Sequence, residues 1–231
     1  MKGIATSIVV ALLSCSSALA ATIDIHWNSP VFNPGGGSVG TINYPVGQSV
    51  TAAAGRYSGV VASTVGIDAA TLIASGSEFY AYCFDLAQYL GNDTYTVVPG
   101  APSAALDFLG AANAYFGGGP FRWLLPMTSD QATAIQVGIW EALFNDDFAL
   151  TTGGVTFSAV PSSVATIFND INALRPTSAD LGAQYVIRLT SASTQDLITG
   201  VRPVSRVPEP HSVALLGLAA MIAGLHRRRA L

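Results

Sequence analysis

The stretch Glu78-Phe-Tyr-Ala-Tyr-Cys-Phe-Asp-Leu86 holds the cysteine around which this chain of 231 residues is organised. Its aromatic residues alternate with other residues, a pattern that predicts a β-strand with core or cross-strand aromatics. The other cysteine, Cys15, lies in a segment that we interpret as a removable leader. Cys83 is then the only thiol of the mature chain, so it is buried, paired between chains or chemically used.

A second stretch, Ala134-Ile-Gln-Val-Gly-Ile-Trp140, could supply a partner for Cys83. Thr128 and Gln131 form a capping-box pattern before a predicted helix, 129–144. Gln136 shares an otherwise apolar face of this helix with Trp140. Since burying an unpaired amide costs about 1–3 kcal/mol, the glutamine must hydrogen-bond or react. It is either a satisfied core glutamine or the acyl group of an internal thioester, formed when a thiolate expels ammonia from the carboxamide.

The rest of the chain gives strand signals first, then grouped helix signals, then strand signals again. A turn or loop is expected at Pro34–Ser38, where three glycines follow a proline. Strands are predicted at 21–27, 46–52, 57–64, 78–84, 94–98, 153–157 and 185–190, and helices at 101–116, 129–144 and 161–174. Strands followed by grouped helices predict the α+β class.

Composition favours an exported protein. Half of the residues are hydrophobic and 10% are charged, against about 25% charged in average domains. No basic patch is present, so we expect no nucleic-acid partner. One cysteine and His26 cannot complete a tetrahedral zinc site, and we expect no cofactor or metal. His26 is expected at a sheet surface rather than in a Cys–His hydrolase, and we predict that the chain is not an enzyme.

The first 20 residues have the pattern of a secretory signal peptide. Lys2 precedes a short apolar run, and Ala18-Leu-Ala20 is a small-residue cleavage site. A membrane anchor is the alternative, but the apolar run is too short to span a bilayer. A lipoprotein cleavage site before Cys15 is a weaker match, so the mature chain is expected to begin near Ala21.

The C-terminal residues 207–231 combine a proline-rich hinge, an apolar segment and a cationic end. This order resembles the PEP-CTERM sorting signal of Gram-negative bacteria, which an exosortase processes. The resemblance implies export to the cell surface or beyond, with a transient inner-membrane anchor through the apolar helix. An ordinary tail anchor is the alternative. The residues that carry the motif are Pro208, Glu209, Pro210, Arg227, Arg228 and Arg229.

The two central stretches resemble the two motifs of bacterial thioester domains, which are Cys–Gln thioester-forming surface proteins. The resemblance covers roughly 77–144 and implies that Cys83 supplies the sulfur and Gln136 the acyl group. Tyr82, Asp85 and Trp140 would surround the bond. Two residues depart from the family pattern, Ile135 where threonine is favoured and Gly138 where alanine is favoured. The family's fold is a β-sandwich or barrel that carries a grouped helical subdomain.

These observations divide the chain into a signal peptide (1–20), a thioester-like domain (21–198), a linker (199–206) and the sorting signal (207–231). The resemblance implies covalent attachment to an unknown surface or matrix partner that offers an amine or a hydroxyl. The alternative function is a non-covalent structural protein of an exopolysaccharide or biofilm matrix. In that case Cys83 and Gln136 are only packed together in the core.

Overall fold

The computed structural model describes residues 20–44, 48–125, 128–145 and 147–203. The predicted signal peptide lies outside these ranges except for Ala20, and the predicted sorting signal lies wholly outside them. Within them the chain forms one antiparallel sheet and a group of α-helices.

The strands of the sheet join into a closed path. They are β1 (Thr22–Asn43), β2 (Ser49–Val65), β3 (Ala74–Ser75), β4 (Glu78–Cys83), β5 (Asp93–Pro99), β6 (Thr156–Phe157), β7 (Val186–Thr190) and β8 (Leu197–Gly200). Their order is β2-β1-β5-β7-β8-β4-β3, and β2 also pairs with β4. This last pairing brings the sheet back to its first strand, so the strands form a ring. The short β6 pairs with β1 outside the ring.

The helices are grouped between β5 and β7 along the chain. They are α1 (Ser103–Tyr115), α2 (Ser129–Phe144) and α3 (Ser162–Leu174). The three helices pack on one another, and α2 alone among them packs closely on β1, β2 and β4. The α+β class with a grouped helical subdomain is therefore confirmed, and the ring corresponds to the barrel form of the predicted sheet.

The start of α2 is set by its sequence. The Thr128 side chain accepts a hydrogen bond from the Gln131 N–H, and the Gln131 side chain accepts one from the Thr128 N–H. This reciprocal pair satisfies two of the free donors at the helix start. The predicted capping box and the predicted bounds of the helix are both confirmed.

The prediction of a turn at Pro34–Ser38 is wrong. β1 continues through this segment, where Gly36, Gly37 and Ser38 pair with residues 53–55 of β2 after register shifts. The glycines allow close packing rather than a reversal. A Cβ at Gly37 would lie 2.8 Å from the Thr133 hydroxyl oxygen, and one at Gly36 would lie 2.8 Å from the Phe32 ring.

At its C-terminal end the sheet extends into residues 199–206, which were predicted to form the linker. β8 ends at Gly200, and Val201 still forms a bridge with Leu72. Arg202 then donates its backbone N–H to the Thr71 carbonyl at 2.7 Å. Within the described residues no helix is both long enough and apolar enough to cross a membrane.

Candidate functional site

The side chain of Gln136 lies against the backbone of Cys83. Cys83 is the last residue of β4, and Gln136 lies on the face of α2 that covers this strand. The Gln136 Oε1 accepts a hydrogen bond from the Cys83 N–H at 2.8 Å, and its Nε2 donates to the Cys83 carbonyl at 2.9 Å. Both residues are fully buried. The structure therefore brings together the two residues that the sequence paired.

The thiol of Cys83 is free and buried, and two groups contact it. The indole Nε1 of Trp140 donates to Sγ at 3.3 Å, and Sγ donates to the backbone carbonyl of Asp85. Burial raises the pKa of the thiol far above its usual range, although the indole hydrogen bond opposes this shift. The sulfur is thus held as a thiol and shielded from oxidants in solvent.

The Asp85 side chain fixes the turn that follows β4. Its Oδ1 accepts hydrogen bonds from the N–H groups of Ala87 and Gln88, and its Oδ2 accepts one from the Asp196 N–H at 2.7 Å. These bonds hold the Asp85 carbonyl in place beside Sγ. The carboxylate thus orders the backbone around the thiol.

Tyr82, by contrast, faces away from the thiol. Adjacent residues of a strand point to opposite faces of the sheet, and the Tyr82 hydroxyl donates to the Trp123 carbonyl at 3.1 Å. Its ring stacks on the Trp123 indole with centroids 5.7 Å apart. Of the predicted surroundings, Asp85 and Trp140 contact the sulfur, and Tyr82 supports the strand from the other side.

Two residues near the thiol were not found from the sequence. The Gln195 Nε2 donates to the Asp85 carbonyl at 3.3 Å, and the Tyr57 hydroxyl donates to Gln195 Oε1 at 2.9 Å. This chain of hydrogen bonds ends at the carbonyl that also accepts the thiol of Cys83. Gln195 is 110 residues from Asp85 in sequence, so only the pairing of β8 with β4 could have revealed it.

The same geometry would assist attack of sulfur on the Gln136 carboxamide. The Cys83 N–H already donates to Oε1, the atom on which negative charge would develop in a tetrahedral intermediate. The Trp140 indole would stabilise a thiolate by a charge-assisted hydrogen bond. His26 does not contribute, since it is exposed on β1 opposite Val60, which confirms its predicted place at the sheet surface.

The absence of a side chain at Gly138 has a packing cause. A Cβ at this position would lie 1.8 Å from Cζ of Phe108, whose ring is fully buried between α1 and α2. Alanine would not fit without moving that ring. Ile135, on the same helix, is a fully buried core residue. Packing in this core therefore accounts for both residues.

In the described part of the chain, no group of three histidine, cysteine, aspartate or glutamate residues converges as a metal site would require. The contacts described above join a thiol, a carboxamide and the donors around them.

Comparison with known families identifies the tail of the chain. A profile for the PEP-CTERM protein-sorting motif matches residues 206–229. The chain thus carries the sorting signal expected from Pro208–Pro210 and the terminal arginines, which marks it as an exported protein that an exosortase processes. The match covers the tail alone and does not classify the domain. No curated protein and no solved structure matches the chain significantly.

Proposed function

We propose that this chain is an exported surface or matrix protein that forms an internal thioester between Cys83 and Gln136. The thioester would then attach the protein covalently to a partner that bears an amine or a hydroxyl. The observation that carries this proposal is the paired contact of the Gln136 carboxamide with the N–H and the carbonyl of Cys83. The sorting motif supports an exported location, where a protected cysteine is useful.

Formation of the bond requires no reagent from outside the chain. Sγ of Cys83 attacks Cδ of Gln136, the Cδ–Nε2 bond breaks, and ammonia leaves with the thiol proton. Attack by a partner's amine or hydroxyl then breaks the S–Cδ bond and forms an amide or an ester. The proton of the nucleophile passes to the sulfur, which regenerates the thiol. The Cys83 N–H would stabilise charge on Oε1 in both steps, and the Trp140 indole would offset part of the burial that holds Sγ as a thiol.

The second candidate function is a non-covalent structural protein of the extracellular matrix. One observation favours it: the two hydrogen bonds to Cys83 give Gln136 a donor and an acceptor, as a stable core glutamine requires. In that case the pair would only join α2 to β4. The two proposals therefore differ in whether the covalent bond between Cys83 Sγ and Gln136 Cδ forms.

The intact mass of the purified exported protein distinguishes them. The thioester form is lighter than the unmodified chain by one ammonia, and incubation with methylamine should convert it to the methylamide with release of one thiol. A maleimide probe added under denaturing conditions would count that thiol. An unmodified mass, together with a maleimide-reactive cysteine before any amine is added, would refute the thioester.

Three variants make this test specific. Cys83→Ala and Gln136→Ala should each retain the mass calculated from their sequence and form no adduct. Gln131→Ala changes another glutamine of α2 and removes one hydrogen bond of the capping box. It should lower stability by about 0.5–1.5 kcal/mol and still form the thioester. Circular dichroism of each variant would establish that the fold is retained.

A further inference from the structure

A cleft of about 610 Å³ lies beside the candidate site. Its walls come from β1, β2 and the segment 86–90, and we call it the Tyr89 cleft because the Tyr89 side chain is 86% exposed at this place. Tyr57, Trp140 and Gln195 also line it. The volume lies within the usual range for small-molecule sites, about 300–1,000 Å³.

Two residues that line the cleft also contact the surroundings of the buried thiol. Trp140 donates to Sγ of Cys83, and Gln195 donates to the carbonyl that the thiol itself contacts. Tyr57 is joined to Gln195 by its hydroxyl. A molecule bound in the cleft would therefore lie next to the residues that surround Cys83.

The described lining of the Tyr89 cleft has no charged side chain. Its polar groups are hydroxyls and the amides of Gln48, Gln88 and Gln195, and its apolar area includes the rings of Phe32 and Tyr89. A charged ligand would find no opposite charge in this lining, so the cleft suits a neutral one. Aromatic rings beside amide donors and acceptors fit a molecule that has apolar faces and many hydroxyls.

Exposed polar side chains also line the Tyr89 cleft. Gln48 and Thr51 are both exposed, and their amide and hydroxyl groups each offer a donor and an acceptor. A ligand that bears hydroxyls can use both kinds of group, which a purely apolar ligand cannot.

We propose that the Tyr89 cleft binds a neutral saccharide. The sugar ring packs on Tyr89, and its hydroxyls bond to the glutamine amides. This binding does not depend on the thioester, because none of the cleft contacts involves the S–Cδ bond. It would nevertheless place the saccharide next to Trp140 and Gln195, whose side chains donate to Cys83 Sγ and to the Asp85 carbonyl.

The test uses the purified protein labelled with ¹⁵N and neutral oligosaccharides of glucose, mannose, galactose, xylose and N-acetylglucosamine. At least one of these oligosaccharides should shift the indole N–H signal of Trp140, which lines the cleft. The indole N–H signal of Trp123, which does not line the cleft, should stay unchanged. An oligogalacturonate serves as the acidic probe and should bind more weakly. The proposal is overturned if no neutral oligosaccharide shifts the Trp140 signal or if the acidic probe binds best.

Two variants test the place of binding. Tyr89→Ala should weaken binding by roughly tenfold, because it removes the exposed ring. Tyr115→Ala, a tyrosine of α1 outside the cleft lining, is the matched control and should bind as the wild type does. Equal binding by Tyr89→Ala and wild type would overturn the proposal. The Cys83→Ala variant should still bind saccharide, so failure of the thioester and failure of this inference are separate results.

Discussion

The ring of Phe108 occupies the space that a side chain at position 138 would need. A Cβ built on Gly138 would lie 1.8 Å from Cζ of this ring, and both residues are in the contact between α1 and α2. Gln136 lies two residues before Gly138 in α2, and its side chain accepts a hydrogen bond from the Cys83 N–H. The close packing of α1 on α2 therefore helps to hold the glutamine against β4.

We expect Gly138→Ala to destabilise the protein by about 1–3 kcal/mol, the usual cost of overpacking a core. On helix propensity alone the same change would stabilise α2 by about 1 kcal/mol, so the sign of the effect shows which factor dominates. Urea unfolding of the wild type and the variant measures the change in the free energy of unfolding. The double variant Gly138→Ala/Phe108→Leu should be less destabilised than the sum of the two single changes. Additive effects would contradict the proposed contact.

A buried carboxyl on α2 predicts a pH dependence of stability. Glu141 is fully buried, and burial raises its pKa from 4.5 to about 7, although a hydrogen bond from Asn145 opposes the shift. Between these values the carboxyl ionises in the unfolded chain and stays neutral in the folded one. The free energy of unfolding should therefore fall as pH rises from about 4.5 to about 7, by up to about 3 kcal/mol.

The variant Glu141→Gln tests this dependence, because its amide can still accept the Asn145 hydrogen bond and does not ionise. Its unfolding free energy should be nearly constant over the same pH range, and at pH 8 it should exceed that of the wild type. Asp180→Asn, which removes one charge from an exposed position, is the control and should keep the wild-type slope. An unchanged slope in Glu141→Gln would show that another group causes the dependence.

The parts of this fold that could be predicted from sequence are those that local chemistry determines. The start of α2 follows from the Thr128–Gln131 capping box, and the strand at 78–84 follows from its alternation. The glycines at 36–37 were misread because their role depends on Thr133 and Phe32, which reach them only in the folded chain. Gln195 was missed for the same reason, since it joins the site through β8.

The indole of Trp140 provides a direct test of the chemistry at the thiol. Trp140→Phe removes the only side-chain hydrogen bond to Sγ among the described residues. Because a hydrogen bond to a charged group contributes about 1.5–3 kcal/mol, we expect thioester formation to slow by about tenfold or more. Intact-mass spectra taken at successive times after synthesis or refolding record the loss of ammonia and so give the rate of thioester formation.

Trp123→Phe is the matched control for this variant. Trp123 is also fully buried, but its indole Nε1 donates to the Pro120 carbonyl at 3.2 Å and does not reach the thiol. Both variants should lose stability through the smaller ring, whereas only Trp140→Phe should form the thioester slowly. Equal rates of thioester formation in the two variants would show that the Trp140 indole does not assist the reaction.

The signal-peptide pattern and the sorting motif predict the two ends of the mature protein. The exported chain should begin near Ala21 and lack the residues after about Pro208, as peptide mapping of both termini can establish. Replacing Pro208 and Pro210 with alanine should leave the tail attached and the protein in the inner membrane. Pro203→Ala, a proline change just before the motif, should be processed normally. An intact arginine tail on exported wild-type protein would contradict processing at this motif.

The mature protein should not cross-link to itself through its side chains. The full chain contains a single lysine, Lys2, which is removed with the predicted signal peptide. The lysine amine is the natural nucleophile toward a thioester, and arginine remains protonated and cannot replace it. Copies of the mature chain thus offer one another only the α-amine and weakly nucleophilic hydroxyls, so a thioester would survive at high protein concentration.

Concentrating the purified wild-type protein and separating it under denaturing, reducing conditions tests this expectation. We expect a single monomer band, and adducts only after a lysine-bearing protein or a small primary amine is added. Introducing a lysine at an exposed position, as in Gln184→Lys, should produce covalent oligomers that disappear in the Cys83→Ala background. A ladder of oligomers in the wild type that is absent from Cys83→Ala would show that hydroxyls or the α-amine suffice, and that the missing lysine does not protect the bond.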